Sequence, residues 1–558
     1  MSQRGESTER RPSSVAFSSI WAVFERRIPF GDHVHPTAHP AAPSRITLIT
    51  SVTYTELPEF SIVESSNSGQ QGSSSVRSKF FVLFLLFGIV PCMRATDSGP
   101  VDCTHLLAWT GGAVPSRKLI SMVEARGLAF APTERAIAEF RTAGATPRLL
   151  ESLHKAKYQG SATCPATLAQ AGALIRSKNL VDAANIVDAL TDNDPRNDAL
   201  HFLMGYIRQR QGDWNGAFDE YSTSKESDPN FSETHNRLAL FFYQSEDGDS
   251  AVAEARTALS MDFDDPGAYR MMGLGHYANE QYPAAMNAFE QSLERDPNNA
   301  EVYYEMGLAA RGQGSDEKAA AMFRRAIALK PHMWQAHSSL ALLLAEEKHY
   351  NDAVAELNTA KQLNPSEPSV REQLAGVYHE QGQYDRAIAE YAELFRLYPN
   401  WKHGHDSLAR SYMAKNEYGP AITELKLAVQ QNPSNAGEHR ALGQLMLVAG
   451  QRDEAVRELQ IATELEPDSA ASHYFLGTAL LESQQFNAAL AEFQDAVRLE
   501  PSAEHHYALA ACLINLGRDR EALAEMETAT RLDPSKELYN ARKEELLRLM
   551  KSSSVQRR

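Results

Sequence analysis

The stretch that decides the fold is residues 297–330, PNNAEVYYEMGLAARGQGSDEKAAAMFRRAIALK. Apolar residues recur in it at a helical period up to Gly312, and again from Ala319 to Ile327. The glycines between these halves interrupt the helix, and Pro331 ends the second half because a residue before proline avoids the helical region. The stretch therefore predicts a helical hairpin, which cannot bury its apolar face without neighbours.

The same pattern recurs along most of the chain with a period of 34 residues. We call the residue that starts each repeat the corner; the corners are Pro195, Pro229, Phe263, Pro297, Pro331, Pro365, Pro399, Pro433, Pro467 and Pro501, with Pro534 one residue early. Ten residues after each corner stands glycine or alanine, and 22 residues after it always alanine, with the same correction in the shortened last unit. A bulky residue such as Phe289 or Tyr391 stands eight residues before most of the following corners. These columns predict closely approaching helices whose gaps the bulky side chains fill.

The motif Met306-Gly307, Ala319, Phe323 and Pro331, with its repetitions, resembles the tetratricopeptide repeat family. The resemblance covers ten units from Pro195 to Pro534, and a weaker eleventh unit, Thr163–Asp194, precedes them. It implies an all-α fold, an α-solenoid superhelix of about ten to eleven helical hairpins. It also implies that the first helix of each hairpin, helix A, lines a concave groove.

By the same resemblance, ligand-facing side chains fall four, seven, eleven, fourteen and fifteen residues after each corner. The candidates for a peptide groove are Phe202, Tyr206, Tyr243, Tyr277, Tyr304, Glu372, His379, Asp406, Arg410, Arg440 and Tyr474. Aromatic residues followed by mixed charges suit a peptide with apolar anchors and polar flanks. The alternative is a solvated groove whose aromatic residues only fill space. Two specialised forms of the family do not carry over, because neither a Lys and Asn carboxylate clamp nor an asparagine column is present.

The first 95 residues predict processing rather than a folded domain. Residues 1–76 are rich in Ser, Pro and Thr, and we interpret them as disordered or not translated. Residues 77–95 show the order of a signal peptide, with basic residues, the apolar run Phe80–Val90 and a small-residue site near Ala95. Cleavage near Ala95 predicts a protein exported to the periplasm or the envelope. A retained anchor and a lipid on Cys92 are the alternatives, and membrane contact arises only through residues 80–90 if they stay uncleaved.

Residues 102–161 do not follow the 34-residue period and predict a small helical module, with helices that start near Ser116, Thr133 and Thr146. The module either caps the first edge of the array or carries an activity of its own. Cys103 and Cys164 bracket it and could form a disulfide in an oxidising compartment. The array is assigned to residues 163–534, a closing amphipathic helix to 535–551 and a basic tail to 552–558.

Charge and motifs argue against most other functions. The net charge of −17 opposes nucleic-acid binding, which depends on neutralising phosphates. The sequence has no phosphate-binding loop, nucleophile elbow or His-Glu-x-x-His helix, so we expect no enzyme activity and no cofactor. A histidine column six residues after the corner is too widely spaced for shared metal ligation, and it predicts packing.

Three hypotheses follow from the sequence. The first is an exported bacterial adaptor that binds a protein or peptide in the groove. The second is a regulatory or sensor subunit of an enzyme complex, with the activity in residues 102–161. The third is a carbohydrate-handling solenoid, which the tyrosines permit without favouring.

Overall fold

The computed structural model describes residues 99–160 and 163–556. Within these ranges the chain forms 27 α-helices and no β-strand, as the all-α solenoid prediction requires. The predicted disordered segment, the signal peptide and Cys92 lie outside the described residues. None of the helices in the described ranges is both long and apolar enough to cross a membrane.

Four helices form the N-terminal module: α1 (Cys103–Gly111), α2 (Ser116–Arg126), α3 (Glu134–Ala143) and α4 (Pro147–Lys155). The hydroxyl groups of Thr133 and Thr146 cap α3 and α4, each accepting a backbone N–H at 3.3 Å, which confirms both predicted starts. Helix α1 was not predicted, because it is buried on most sides and shows no amphipathic period. Isolated parallel bridges join Val101 to Leu128 and Leu128 to Tyr158.

The array consists of paired helices, each A helix followed by its B helix. The pairs are α5 (Ala166–Arg176) and α6 (Leu180–Thr191), α7 (Asp198–Gln211) and α8 (Trp214–Ser227), α9 (Ser232–Gln244) and α10 (Gly248–Met261), α11 (Pro266–Ala278) and α12 (Tyr282–Arg295), α13 (Ala300–Gly312) and α14 (Asp316–Leu329), α15 (Trp334–Glu346) and α16 (Tyr350–Leu363), α17 (Pro368–Glu380) and α18 (Tyr384–Leu397), α19 (His405–Ala414) and α20 (Tyr418–Gln431), α21 (Ala436–Val448) and α22 (Arg452–Leu465), α23 (Ala470–Glu482) and α24 (Phe486–Leu499), α25 (Ala503–Asn515) and α26 (Asp519–Leu532). Helix α27 (Glu537–Gln556) closes the array and runs on into the predicted basic tail.

The small-residue columns let the two helices of a hairpin pack closely. The alanine 22 residues after each corner is buried in every unit. A Cβ atom added at Gly273 would lie 2.5 Å from the ring of Phe289, and one at Gly477 would lie 2.9 Å from that of Phe493. The bulky side chains therefore fill the gaps beside the small residues, as the sequence predicts.

The A helices of the array lie along one side of it. Each A helix packs against its own B helix and against the B helix before it, and successive A helices also contact each other, as α9 does α11 and α15 does α17. Successive B helices do not pack on each other to this extent in the described part of the chain. We call the side formed by the A helices the inner face.

The closing helix α27 covers the last hairpin. The ring of Tyr539 packs against that of Tyr507 with centroids 4.9 Å apart. Cys512 in α25 is a buried free cysteine, and burial raises the pKa of its thiol to about 11. The contacts of α27 with α26 and with Tyr507 finish the apolar surface that the last repeat would otherwise expose.

Candidate partner-binding surface

The module lies on the inner face of the first three full units. The ring of Trp109 on α1 stacks on Phe231 with centroids 4.4 Å apart. Farther along, Lys118 Nζ on α2 lies 2.7 Å from the carboxylate of Asp265 and 3.6 Å from that of Glu233. The module thus extends over three successive A helices and does more than cap the first edge.

Phe202 was predicted to face a ligand, but the structure places it in the core. It has no exposed surface, and its ring packs against Tyr221 and Phe231. A Cβ atom added at Gly112 of the module would lie 2.8 Å from the same ring. The repeat pattern places Phe202 on the inner face correctly, but it carries no information on the module that covers this part of it.

Tyr206 lies at the boundary of the covered region. Its hydroxyl accepts a hydrogen bond from Arg210 Nη1 at 3.1 Å, and the guanidinium of Arg237 lies 5.5 Å from its ring centroid. The carbonyl oxygen of Ala113 in the module accepts a hydrogen bond from the same Arg237 at 3.5 Å. These contacts occupy much of Tyr206 with groups of the chain itself.

Three predicted tyrosines come together on the next units. Tyr243 on α9 lies with Tyr277 on α11 and Tyr304 on α13, all partly buried. Next to them Arg270 Nε donates to both carboxylate oxygens of Glu305, at 3.0 and 2.9 Å. Burial raises the pKa of each of the three tyrosines. We call these three residues the tyrosine cluster; it offers aromatic rings and hydroxyl groups beside a fixed ion pair.

A second group of predicted residues lies where an A helix is shortened. Helix α19 begins only at His405, after Gly404, whose φ of 95° breaks the helix. Trp401 in the preceding segment donates from Nε1 to Glu372 on α17 at 3.2 Å. Burial raises the pKa of Glu372, an effect that this hydrogen bond opposes.

The other members of this group pair with near neighbours. His379 Nδ1 lies 2.9 Å from the hydroxyl oxygen of Ser411 on α19, and burial lowers the pKa of this histidine. Arg410 donates to Asp406, one turn earlier on the same helix, at 3.2 Å. Both charged side chains of that pair remain about half exposed, so they are accessible from solvent.

The last two predicted residues connect successive units. Arg440 lies 3.3 Å from the hydroxyl of Ser472 and 3.4 Å from the carboxylate of Glu466. The hydroxyl of Tyr474 donates to Glu504 of the next unit at 3.2 Å, and burial raises the pKa of Tyr474. Their contacts stabilise the stacking of the units and leave little of either side chain for a ligand.

The histidine column forms an interaction that the sequence analysis missed. In seven units its Nδ1 lies beside a glutamate on the B helix: His201–Glu220, His235–Glu254, His337–Glu356, His405–Glu424, His439–Glu458, His473–Glu492 and His506–Glu525. In a further unit Arg371 replaces histidine and pairs with Glu390 at 3.0 Å.

A signal for these pairs was present in the sequence, because both positions change together. The two units with tyrosine at the histidine position, Tyr269 and Tyr303, carry Ala288 and Met322 at the glutamate position. Each pair joins helix A to helix B of one hairpin, so the column has a packing role. The described residues contain no cluster of potential metal ligands.

Cys103 and Cys164 are joined by a disulfide, with their Cα atoms 5.2 Å apart. The bond connects the start of α1 to the segment just before α5. The bond closes a covalent loop that contains the whole module. It therefore holds the two ends of the module together at the first edge of the array.

Matches to family models agree with this architecture. Two family models, both described as tetratricopeptide repeat, match residues 270–333, 304–368, 440–484 and 476–537, and residues 344–411. A comparison with curated proteins found no match to this chain.

Among solved structures, MamA is 23% identical over 29% of this chain and 95% of its own, with a TM-score of 0.25. Pseudomonas aeruginosa pilF is 19% identical over 39% and 96%, with a TM-score of 0.33, and yeast Tom70 is 15% identical over 70% and 96%, with a TM-score of 0.32. The repeat matches and the stacked hairpins identify the chain as a tetratricopeptide repeat protein.

Proposed function

We propose that this protein is a non-catalytic adaptor that binds an extended segment of a partner protein on its inner face. Tetratricopeptide repeat proteins generally bind other proteins, which supports a protein partner. The tyrosine cluster is the observation that carries the proposal. It presents three aromatic side chains from successive units on one surface, and such residues dominate the binding energy of many interfaces.

The proposal places the bound segment beyond the module. Residues 103–155 cover the inner face of the earlier units through Trp109 and Lys118. Tyr243, Tyr277 and Tyr304 are partly exposed, and so are Glu372 and Asp406 farther along. A segment running from the tyrosine cluster toward α19 would meet aromatic residues first and charged residues second.

Two basic residues of the module, His105 and Lys118, favour a structural role for it over the enzyme-subunit hypothesis. His105 lies between the carboxylates of Asp102 and Asp198, and Lys118 lies between Glu233 and Asp265. Both side chains connect the module to the array, and their charges are neutralised there. The module is thus expected to shape the binding surface and to carry no activity.

We further propose that the protein acts in a bacterial cell envelope after export. The signal-peptide pattern of residues 77–95 supports this location, and a disulfide is stable in such an oxidising compartment. Mass spectrometry of the native protein tests it. A mature N-terminus near residue 96 supports export, whereas peptides from residues 17–45 would contradict both cleavage and the untranslated start.

Site-specific photocrosslinking tests the binding surface. Benzoylphenylalanine is placed at Tyr243 or Tyr277 in the full chain, and the chain is irradiated in its native envelope. Controls carry the same crosslinker at Leu363 or Leu397, exposed apolar positions on B helices. We expect one partner to be captured from the tyrosine positions and not from the leucine positions.

A second variant set checks that capture reflects binding. Tyr243→Ala combined with Tyr277→Ala should reduce co-purification of the captured protein by about tenfold, as expected for two aromatic contacts. Leu363→Ala combined with Leu397→Ala should leave it unchanged. Equal capture from both surfaces, or an unaffected tyrosine double variant, would reject the inner face as the binding site.

A further inference from the structure

Carboxylates of the inner face hold a lysine side chain of the module, Lys118. Lys118 is only 11% exposed, and its ammonium lies 2.7 Å from Asp265 and 3.6 Å from Glu233. Asn236 donates from Nδ2 to the same Asp265 at 2.9 Å. An amide–carboxylate pair between two successive A helices thus forms the base of a lysine-binding recess.

The same position in the repeat recurs four units later. Asn236 stands seven residues after its corner and Asp265 two residues after the next; 136 residues on, these positions are Glu372 and Trp401. The two side chains again form a hydrogen bond between neighbouring units, here at 3.2 Å from Trp401 Nε1 to Glu372. In the first pair the carboxylate belongs to Asp265, two residues after its corner, and in the second pair it belongs to Glu372, seven residues after its corner. The indole of Trp401 stands at the position of Asp265.

In this second place the chain supplies no lysine or arginine of its own, and the basic group that acts on Glu372 is the exposed imidazole of His403. No lysine or arginine forms an ion pair with Glu372 anywhere in residues 99–160 or 163–556, although its carboxylate is partly buried. Arg410 on α19 pairs with Asp406 and Arg371 with Glu390, so neither forms an ion pair with Glu372. A partly buried carboxylate that has one indole N–H and an exposed imidazole nearby, but no ion pair with lysine or arginine, is stabilised further when a ligand supplies a cation.

The second place is also open. A Cβ atom added at Gly376, one turn after Glu372 on α17, would have no atom within 4 Å. The late start of α19 leaves the segment before it, including the exposed His403, beside Trp401. Residues of the module cover the first recess, whereas none of its contacts named above reaches this one.

We propose that Glu372 and Trp401 form a recess that binds a lysine or arginine side chain of the partner segment. This rests on the proposed function and adds a residue class to it. The carboxylate would form a charge-assisted hydrogen bond with the cation, and the indole face would add a cation–π contact. The net charge of −17 also favours a basic partner segment.

The experiment uses the full chain and two fluorescein-labelled nonapeptides of alanine and glycine. One carries three lysines, and the other carries acetyl-lysine at the same positions. Fluorescence anisotropy gives the affinities, and the ¹⁵N-labelled indole of Trp401 reports the site by NMR, assigned with Trp401→Phe. We expect the lysine peptide to shift the Trp401 signal and the acetylated peptide to leave it in place.

Charge-matched variants separate the recess from general attraction to an acidic protein. Glu372→Gln removes one negative charge but keeps an oxygen that accepts the indole N–H, and it should weaken binding of the lysine peptide about five- to tenfold. Glu393→Gln on helix α18 removes one equally well and should leave the affinity unchanged. Thermal melts of both variants verify folding.

The proposal fails if the Trp401 signal does not move with the lysine peptide, which the wild-type chain alone decides. It also fails if the two peptides bind equally, or if Glu372→Gln and Glu393→Gln behave alike. Partner capture at Tyr243 with no effect of Glu372→Gln on co-purification would overturn this recess and leave the proposed function standing. Binding of the lysine peptide at Trp401 without any partner capture at Tyr243 would do the reverse.

Discussion

The hairpin interiors and the junction between module and array are held together by different kinds of contact. Inside the hairpins the same contacts recur, with a small residue facing a bulky one and a histidine facing a glutamate. At the junction each contact occurs once, as with Trp109 on Phe231 or Lys118 between two carboxylates. Loss of a repeated contact in one hairpin leaves the equivalent contacts in the other hairpins in place. Loss of a contact at the junction removes an interaction that occurs nowhere else in the array.

The largest effect is expected at Lys118. Replacing it with methionine leaves Asp265 buried without its cation, while Glu233 keeps its ion pair with Arg237 at 3.1 Å. This should lower the free energy of unfolding of the module by about 3–5 kcal/mol. Hydrogen exchange of the α2 amides, with urea denaturation, measures the loss. Arg117→Met is the control; its partner Asp264 is half exposed, so the change should cost less than about 0.5 kcal/mol.

A second variant distinguishes lost charge pairing from lost packing at this position. If the unpaired carboxylate of Asp265 causes the loss, Lys118→Met combined with Asp265→Asn should recover part of it. Equal protection of α2 in the wild type and in Lys118→Met would mean that the junction does not depend on this ion pair.

The next effect is a pH dependence at His105. Burial lowers the pKa of His105, but hydrogen bonds to Asp102 and Asp198 outweigh it and raise the pKa to about 10. Because the folded-state pKa lies above the unfolded value of about 6.5, the stabilisation is complete below pH 6.5 and disappears as the pH rises through about 10. The wild type should therefore lose about 2–4 kcal/mol over this interval relative to His105→Gln.

Urea denaturation of both proteins between pH 6 and pH 10.5 checks this prediction. Comparison with the variant cancels the titration of other groups. Parallel curves for the two proteins would show that the His105 contact with the array contributes no pH-dependent stability.

The same contrast explains how much of the molecule was predictable. Residues equivalent to the corner prolines, Gly273 and Phe289 recur at fixed spacing along the chain. The sequence therefore contains many examples of each contact, and it predicts the hairpins and the bulky side chains that fill them. The burial of Phe202 and the position of Lys118 depend on the module, whose path no repeat encodes. Helix α1 was missed because an element buried on most sides has no amphipathic period.

On the inner face the sequence predicted positions but not accessibility. Tyr243, Tyr277 and Tyr304 do come together, while Arg440 and Tyr474 instead hold neighbouring units together. Trp401 was not a candidate, because it precedes helix α19 and only the late start of that helix brings it to Glu372. Whether an inner-face side chain is accessible depends on its distance from side chains of neighbouring units, and the spacing of residues along the chain does not reveal that distance.

Glycines in the hairpins give a smaller effect with a change of sign. Gly273→Ala would force a Cβ atom to within 2.5 Å of Phe289 and should destabilise the unit by about 1–3 kcal/mol. Gly376→Ala meets open space in the middle of α17 and should stabilise it by about 0.5–1 kcal/mol, because alanine loses less backbone entropy. Urea denaturation of both variants measures the difference. Effects of the same sign would mean that the close approach of Phe289 does not restrict residue 273 to glycine.

The smallest effect tests whether the histidine–glutamate pairs act as units. His439 Nδ1 lies 2.8 Å from Glu458. Another hairpin of the same chain has Tyr269 and Ala288 at the equivalent positions, so tyrosine and alanine are natural replacements for this pair. His439→Tyr and Glu458→Ala should each destabilise the protein, and the double variant should be more stable than their sum by about 0.5–1.5 kcal/mol. His439→Tyr with Glu492→Ala, which belongs to the next hairpin, should be additive. Denaturation of these four variants and of Glu492→Ala alone measures both couplings. Equal couplings would show that the shared change at Tyr269 and Ala288 does not reflect a direct contact.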